Sequence, residues 1–127
     1  MEILSTLKKN DLPTADTFDA VVKKLDFPID KDYLDFIQKH NGAAGFLNDE
    51  HYVLFWEVVD LIALNPYYKH DPKGNNYFFF GSDGSSLGYA FDKINDAIVA
   101  VDFYEFGIAE PTYIAPTFKL FIDKLSN

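Results

Sequence analysis

The stretch Phe78-Phe79-Phe80-Gly81-Ser82-Asp83-Gly84-Ser85-Ser86-Leu87-Gly88-Tyr89-Ala90-Phe91-Asp92 constrains this chain more than any other. Phe78, Phe79 and Phe80 suit a pleated, buried surface, and Leu87, Tyr89 and Phe91 alternate with Gly88, Ala90 and Asp92 at the strand period of two. Between the two aromatic runs lie the breakers. Gly81 and Gly84 allow positive φ without steric cost, and Ser82, Asp83, Ser85 and Ser86 can bond to nearby backbone groups. The stretch is therefore expected to form a β-hairpin through the core, its strands joined by a connection longer than a two-residue turn.

The flanking segments alternate between helix and strand signals. Thr14 is placed to cap a first helix in which Phe18, Val21, Val22 and Leu25 share one face, with Asp16 early and Lys23 and Lys24 late, as the helix dipole prefers. Asp30 caps a second, with Tyr33, Phe36, Ile37 and His40 inward, and Asn41-Gly42 stops it. An irregular connection from Asn41 to Gly45 then leads to the apolar strand run Tyr52-Val53-Leu54-Phe55-Trp56. Residues 57–64 can form a short helix that brings Val58, Leu61 and Ile62 inward, and 65–76 reads as a surface loop containing Pro66, Tyr67, Tyr68, Pro72 and Gly74. After the hairpin, a turn at 93–96 leads to a strand at 97–103, and 104–112 is irregular. Pro116 suits the first turn of a last helix that turns Phe118, Phe121, Ile122 and Leu125 inward. A helical turn around Ile3, Leu4 and Leu7 forms a lead-in over 1–13, closed by Pro13.

Two helices, sequential strands and a closing helix predict an α+β fold, with an antiparallel sheet and the helices packed against it. No linker or repeat divides the 127 residues, which are read as a single domain. Its 13 phenylalanines and 8 tyrosines supply a large core, and no cysteine is present for a disulfide or a thiolate metal site. The acid at position 2 argues against a signal peptide, and no apolar run approaches the roughly 20 residues of a bilayer span, so a cytoplasmic protein is expected. A formal charge of −9 repels nucleic acid and anionic lipid. It serves solubility or attracts a basic partner.

The residues offer little catalytic chemistry. The glycine-containing interval lacks the Lys-Ser/Thr of a phosphate loop and is followed by a strand, and Asp83 is its only carboxylate, too few for calcium. His40, His51 and His70 belong to no metal-ligand motif, so no metal or cofactor is expected. A nucleophilic site at Ser82 or Ser85 would need His51 or His70 from elsewhere, and the G-x-S-x-G elbow is absent. Trp56 fits the core within its apolar run; Tyr67 and Tyr68 either pack back or meet a partner.

The ordered pieces Phe27-Pro28-Ile29-Asp30-Lys31-Asp32-Tyr33-Leu34-Asp35-Phe36, His40-Asn41-Gly42, Trp56 with Leu61, Phe80-Gly81-Ser82-Asp83-Gly84, Tyr89-Ala90-Phe91-Asp92 and Ile114-Ala115-Pro116-Thr117-Phe118 together resemble the SMI1/KNR4 family, also called the SUKH superfamily. The resemblance runs from about residue 12 to near the end, with Ala43 where the family often has a second glycine. It implies an α+β fold in which Gly42, Trp56, Gly81, Asp83 and Gly84 are structural and no residue is catalytic. In bacteria it implies an immunity protein that binds and neutralises a polymorphic toxin, often a nuclease; fungal relatives resemble scaffold or regulatory modules instead. The expected partner is therefore a toxin domain with a basic face. Asp49, Glu50, Tyr67, Tyr68, Tyr104, Glu105, Phe106 and Glu110 are the candidate contact residues, because they combine predicted loop positions with acidic or aromatic character.

Overall fold

Among the described residues each strand after the first pairs with the one before it in sequence, as sequential elements tend to do. The computed structural model describes residues 7–9, 14–68, 76–105 and 110–127. Among these, seven antiparallel strands lie side by side in chain order: β1 (Lys8–Lys9), β2 (Ala43–Phe46), β3 (Tyr52–Phe55), β4 (Tyr77–Ser82), β5 (Leu87–Asp92), β6 (Ala97–Asp102) and β7 (Thr112–Ala115). Helices α1 (Ala15–Lys24) and α2 (Lys31–His40) lie between β1 and β2, α3 (Val58–Tyr68) between β3 and β4, and α4 (Phe118–Ser126) follows β7. The expected α+β architecture with an antiparallel sheet is thus present.

Side-chain alternation gives the sheet two different faces. Phe55, Phe80, Tyr89 and Phe91 point toward α2 and α4, where they meet Tyr33, Phe36, Phe118 and Phe121 with ring centroids 5.0 to 5.7 Å apart in most of the pairs. The mixture of tilted and edge-on contacts is the one aromatic quadrupoles prefer. On the opposite face Phe79 lies between Trp56 and Phe103, at 6.4 and 5.7 Å. Phe103 also fills the space over Gly88, where an added Cβ would come within 2.3 Å of its ring.

Three caps set the helices. Thr14 accepts from the Thr17 N–H and Thr117 from the Leu120 N–H. Asp30 serves two helices at once: one carboxylate oxygen accepts from the Asp32 and Tyr33 N–H groups that open α2, and the other from the Phe118 N–H that opens α4. At the far end of α2, Asn41 and Gly42 take positive φ values of 51° and 84°. The Val58 N–H donates to Asn41 Oδ1, so the residue that ends α2 also starts α3. A Cβ on Gly42 would stand 2.6 Å from the Phe55 carbonyl oxygen, which leaves only glycine room there.

Several expectations need correction. Gly81 does not belong to the hairpin connection: it lies inside β4, and the turn occupies 83–86. Its requirement is close approach rather than φ, since a Cβ there would meet the Leu54 carbonyl oxygen at 2.7 Å. Gly84 does take positive φ, 81°. Residues 43–46 form a strand rather than an irregular connection, and 112–115 form another. Val22 is turned outward. In the lead-in, Leu7 is not helical and Lys8 and Lys9 form a strand; Ile3 and Leu4 lie outside the described residues. Pro116 precedes the cap of α4 rather than lying in its first turn.

The largest departure is at α3, which runs on through Pro66 to Tyr68 instead of ending before a loop. Its registered pairs place β3 beside β4 only at Leu54–Ser82 and Phe55–Gly81, leaving the earlier part of that β4 edge to other partners. Buried Asn65 occupies it: the Phe79 N–H donates to Asn65 Oδ1 at 2.7 Å, and Asn65 Nδ2 donates to the Phe79 carbonyl at 2.9 Å. An amide side chain thereby imitates a neighbouring strand, as a buried backbone edge requires.

Candidate functional site

In an antiparallel meander alternate connections fall at the same end. The β2–β3 connection (47–51), the β4–β5 turn (83–86) and the residues leaving β6 (103–105) therefore share one end of the sheet. With strands about 4.8 Å apart, β3 and β6 are separated by about 14 Å there, well within one protein-binding footprint. Asp49, Glu50, Asp83, Asp102 and Glu105 belong to this end, and 47–51, 83–86 and 103–105 contain no lysine or arginine.

Local hydrogen bonds hold these segments in shape. Asn48 Oδ1 accepts from the Glu50 and His51 N–H groups, and Asn48 Nδ2 donates to the Leu125 carbonyl at the end of α4, 3.0 Å away. Asp49 and Glu50 are thus exposed side chains on a loop fastened to a helix. In the next connection Asp83 Oδ1 accepts from the Ser85 and Leu87 N–H groups, and Ser82 Oγ from the Gly84 N–H. Beyond β6, Asp102 Oδ1 accepts from the Tyr104 N–H, while the Phe103 N–H donates to the Ser86 carbonyl. Tyr104 is left 83% exposed. Burial, and then the charge of Asp83, push the Tyr89 hydroxyl above its ordinary pKa.

Of the eight candidate contact residues, the sheet places Asp49, Glu50, Tyr104 and Glu105 at this end. Glu110 does not join them: it lies near Asp92, Asn95 and Tyr113. Its charge, after burial and Asp92, helps raise the Tyr77 phenol. Tyr67 and Tyr68 form the last turn of α3 rather than a loop, within the connection at the other end of the sheet. Phe106 lies outside the described residues.

Sequence reasoning passed over Phe46, Leu54 and Asn48, which the structure adds to this end. The signal was present in Tyr52-Val53-Leu54-Phe55, where Val53 and Phe55 are buried and Leu54 is 39% exposed, but a continuous apolar run conceals which alternate residues face outward.

The opposite end holds a cleft of about 520 Å³, lined in part by Phe27, Asp30, Asp32, Asp92, Lys93 and Asp96. Two of its acids, half-buried Asp30 and buried Asp92, are committed to backbone. Asp30 caps two helices, and Asp92 accepts from the Ile94 and Asn95 N–H groups of the β5–β6 turn. Lys93 pairs with Asp26 at 2.9 Å and lies over the Phe27 ring. His51 Nδ1 is engaged with Asn48. Among the described residues no group of three or more His, Asp or Glu side chains is placed to hold a metal ion, and no helix is long and apolar enough to cross a membrane.

In comparison with known families, the model of the SMI1 / KNR4 family (SUKH-1) matches residues 12–124, most of the chain. No individual curated protein matches.

Proposed function

This chain belongs to the SMI1/KNR4 family, and on that basis we propose that it is a bacterial immunity protein that neutralises a cognate toxin by stoichiometric binding, with no bond made or broken. The observation that carries the reading is the acidic end of the sheet. There, exposed Asp49, Glu50 and Glu105 stand beside Tyr104 in segments without lysine or arginine. A nuclease toxin has a cleft suited to phosphate, and an acidic protein surface can occupy such a cleft and associate rapidly through long-range attraction. The proposed partner is a basic toxin domain, and the proposed compartment is the cytoplasm, where such a toxin would act.

Co-expression with the protein encoded beside this one tests the reading. The expected result is rescued growth and a one-to-one complex whose association slows as salt increases. Charge reversal at Asp49, Glu50 and Glu105 should slow that association by about tenfold or more at low salt. Absence of both rescue and complex would overturn the proposal. A stable complex with host signalling proteins and no toxin in the neighbourhood would instead favour the scaffold role of the fungal relatives.

A further inference from the structure

The face of the sheet turned away from α2 and α4 exposes a group of apolar side chains. Val53 and Phe55 point into the core, Phe55 against Phe36 and Phe118, so Tyr52 and Leu54 point the other way. The register sets Phe46 opposite Tyr52 and Ala44 opposite Leu54, which brings all four to that outer face. Phe46 is 57% exposed and meets the half-buried Tyr52 ring edge-on at 5.2 Å. The β4–β5 turn leans on the same ring: a Cβ at Gly84 would lie 3.0 Å from Tyr52.

We infer that Phe46, Tyr52 and Leu54 form the centre of the toxin-binding surface, and that they receive an aromatic or aliphatic side chain flanked by lysine or arginine on the partner. This deepens the immunity reading and rests on it. Charge complementarity selects the occupant. Phe46 and Tyr52 are joined by the loop that carries Asp49 and Glu50, and Asp83 precedes the glycine that touches Tyr52, so acids border the patch at its loop end, while Lys8 is registered opposite Ala44 on the β1 side. A second copy of this chain would bring those same acids together in a symmetric contact and add to the repulsion of two bodies of charge −9 each. A basic partner meets no such penalty. Aromatic anchors with few rotatable bonds, centred in a polar rim, are the arrangement in which binding energy concentrates. The fastening of Asn48 to the end of α4 keeps the rim acids in place before binding, which lowers the ordering cost.

The test uses the full chain and the protein encoded beside it, the latter carrying an inactivating substitution where needed, with binding measured by calorimetry. Phe46→Ser combined with Leu54→Ser should weaken binding by about 30-fold or more. Ile94→Ser, which removes a still more exposed side chain at the opposite end, should change it by less than about threefold. A photo-cross-linker at position 46 should capture the partner and one at 94 should not, which gives an answer even where the double variant folds poorly. Undiminished affinity in a folded double variant, or cross-linking at 94 alone, would overturn the placement while leaving the immunity reading intact. Failure of the wild type to bind at all would remove both. A concentration-dependent dimer abolished by the double variant would show a second copy as occupant and also overturn the proposal.

Discussion

Replacing Asn65 should destabilise this protein more than its modest side chain suggests. The residue is 6% exposed, and its amide makes three hydrogen bonds: to the Leu61 carbonyl, to the Phe79 carbonyl and from the Phe79 N–H. Phe79 is fully buried, so water cannot take over. A buried backbone group that loses its partner costs about 1–3 kcal/mol, and two such groups give about 2–6 kcal/mol for Asn65→Leu, a change that keeps the volume and removes the bonding. With a urea m-value of about 2 kcal/mol/M, the midpoint should fall by about 1–3 M. That is a large share of the roughly 5–15 kcal/mol that separates folded from unfolded domains. The Phe79 amide should also exchange with solvent faster, read by hydrogen exchange on the folded protein. Should Asn65→Leu keep its midpoint within about 0.3 M of wild type, the amide is not substituting for a strand and the account of this edge is wrong.

Four other substitutions have definite expected outcomes. Asp30→Ala removes the shared start of α2 and α4 and should cost about 2–3 kcal/mol in urea unfolding, roughly twice a single cap; a loss below about 1 kcal/mol would mean the two helix starts are independent. Tyr33→Phe removes a buried hydroxyl with no hydrogen-bond partner among the described residues and should raise stability by about 1 kcal/mol at pH 7. Burial raises the Tyr33 pKa above its ordinary 10.0, so the folded protein retains a proton that the unfolded chain releases; wild type should lose up to about 1.4 kcal/mol per pH unit above pH 10 through this residue, and the variant should lack that loss. Equal alkaline slopes in the two proteins would refute the assignment. Gly42→Ala and Gly81→Ala each drive a methyl group into a backbone carbonyl and should lower stability by about 1–3 kcal/mol, whereas unchanged urea midpoints would show that the backbone can move aside.

The sequence reveals most clearly the elements whose pattern is local. Thr14 and Asp30 announce α1 and α2 by capping chemistry, and the spacing of Phe118, Phe121, Ile122 and Leu125 announces the buried face of α4. It is less informative where a distant segment decides. Pro66 reads as a breaker, yet α3 continues past it, with Asn65 bonded to Phe79 fourteen positions further on. Gly81 reads as a turn residue because glycine usually signals φ; its actual constraint is Leu54 on a neighbouring strand. The short strands β2 and β7 gain their character from pairing rather than from their own residues. At the candidate site, loop acids such as Asp49 could be nominated from composition, but which nominees share an end of the sheet follows from strand order. Strand order alone would leave Glu110 with Tyr104 in one β6–β7 connection; its neighbours Tyr77, Asp92 and Asn95 set it apart, although only five residues lie between the two in the chain.

The polar residues divide by task, and the division explains how one scaffold could serve partners of different kinds. Asp30, Asn65, Asp83 and Asp92 hold backbone groups, and changing them disturbs the fold. Asp49, Glu50 and Glu105 are exposed, lie outside every strand and helix, and adjoin backbone that Asn48 and Asp102 already fix. Substitution at these three should therefore alter folding stability by no more than about 0.5 kcal/mol each, even where it abolishes binding. Urea midpoints and binding constants measured on one set of charge-reversal variants would separate the two tasks. If reversal at Asp49 or Glu50 lowered the midpoint as far as the loss of Asn48, the loop acids would belong to the fold, and the acidic end would no longer be a surface free to change with its partner.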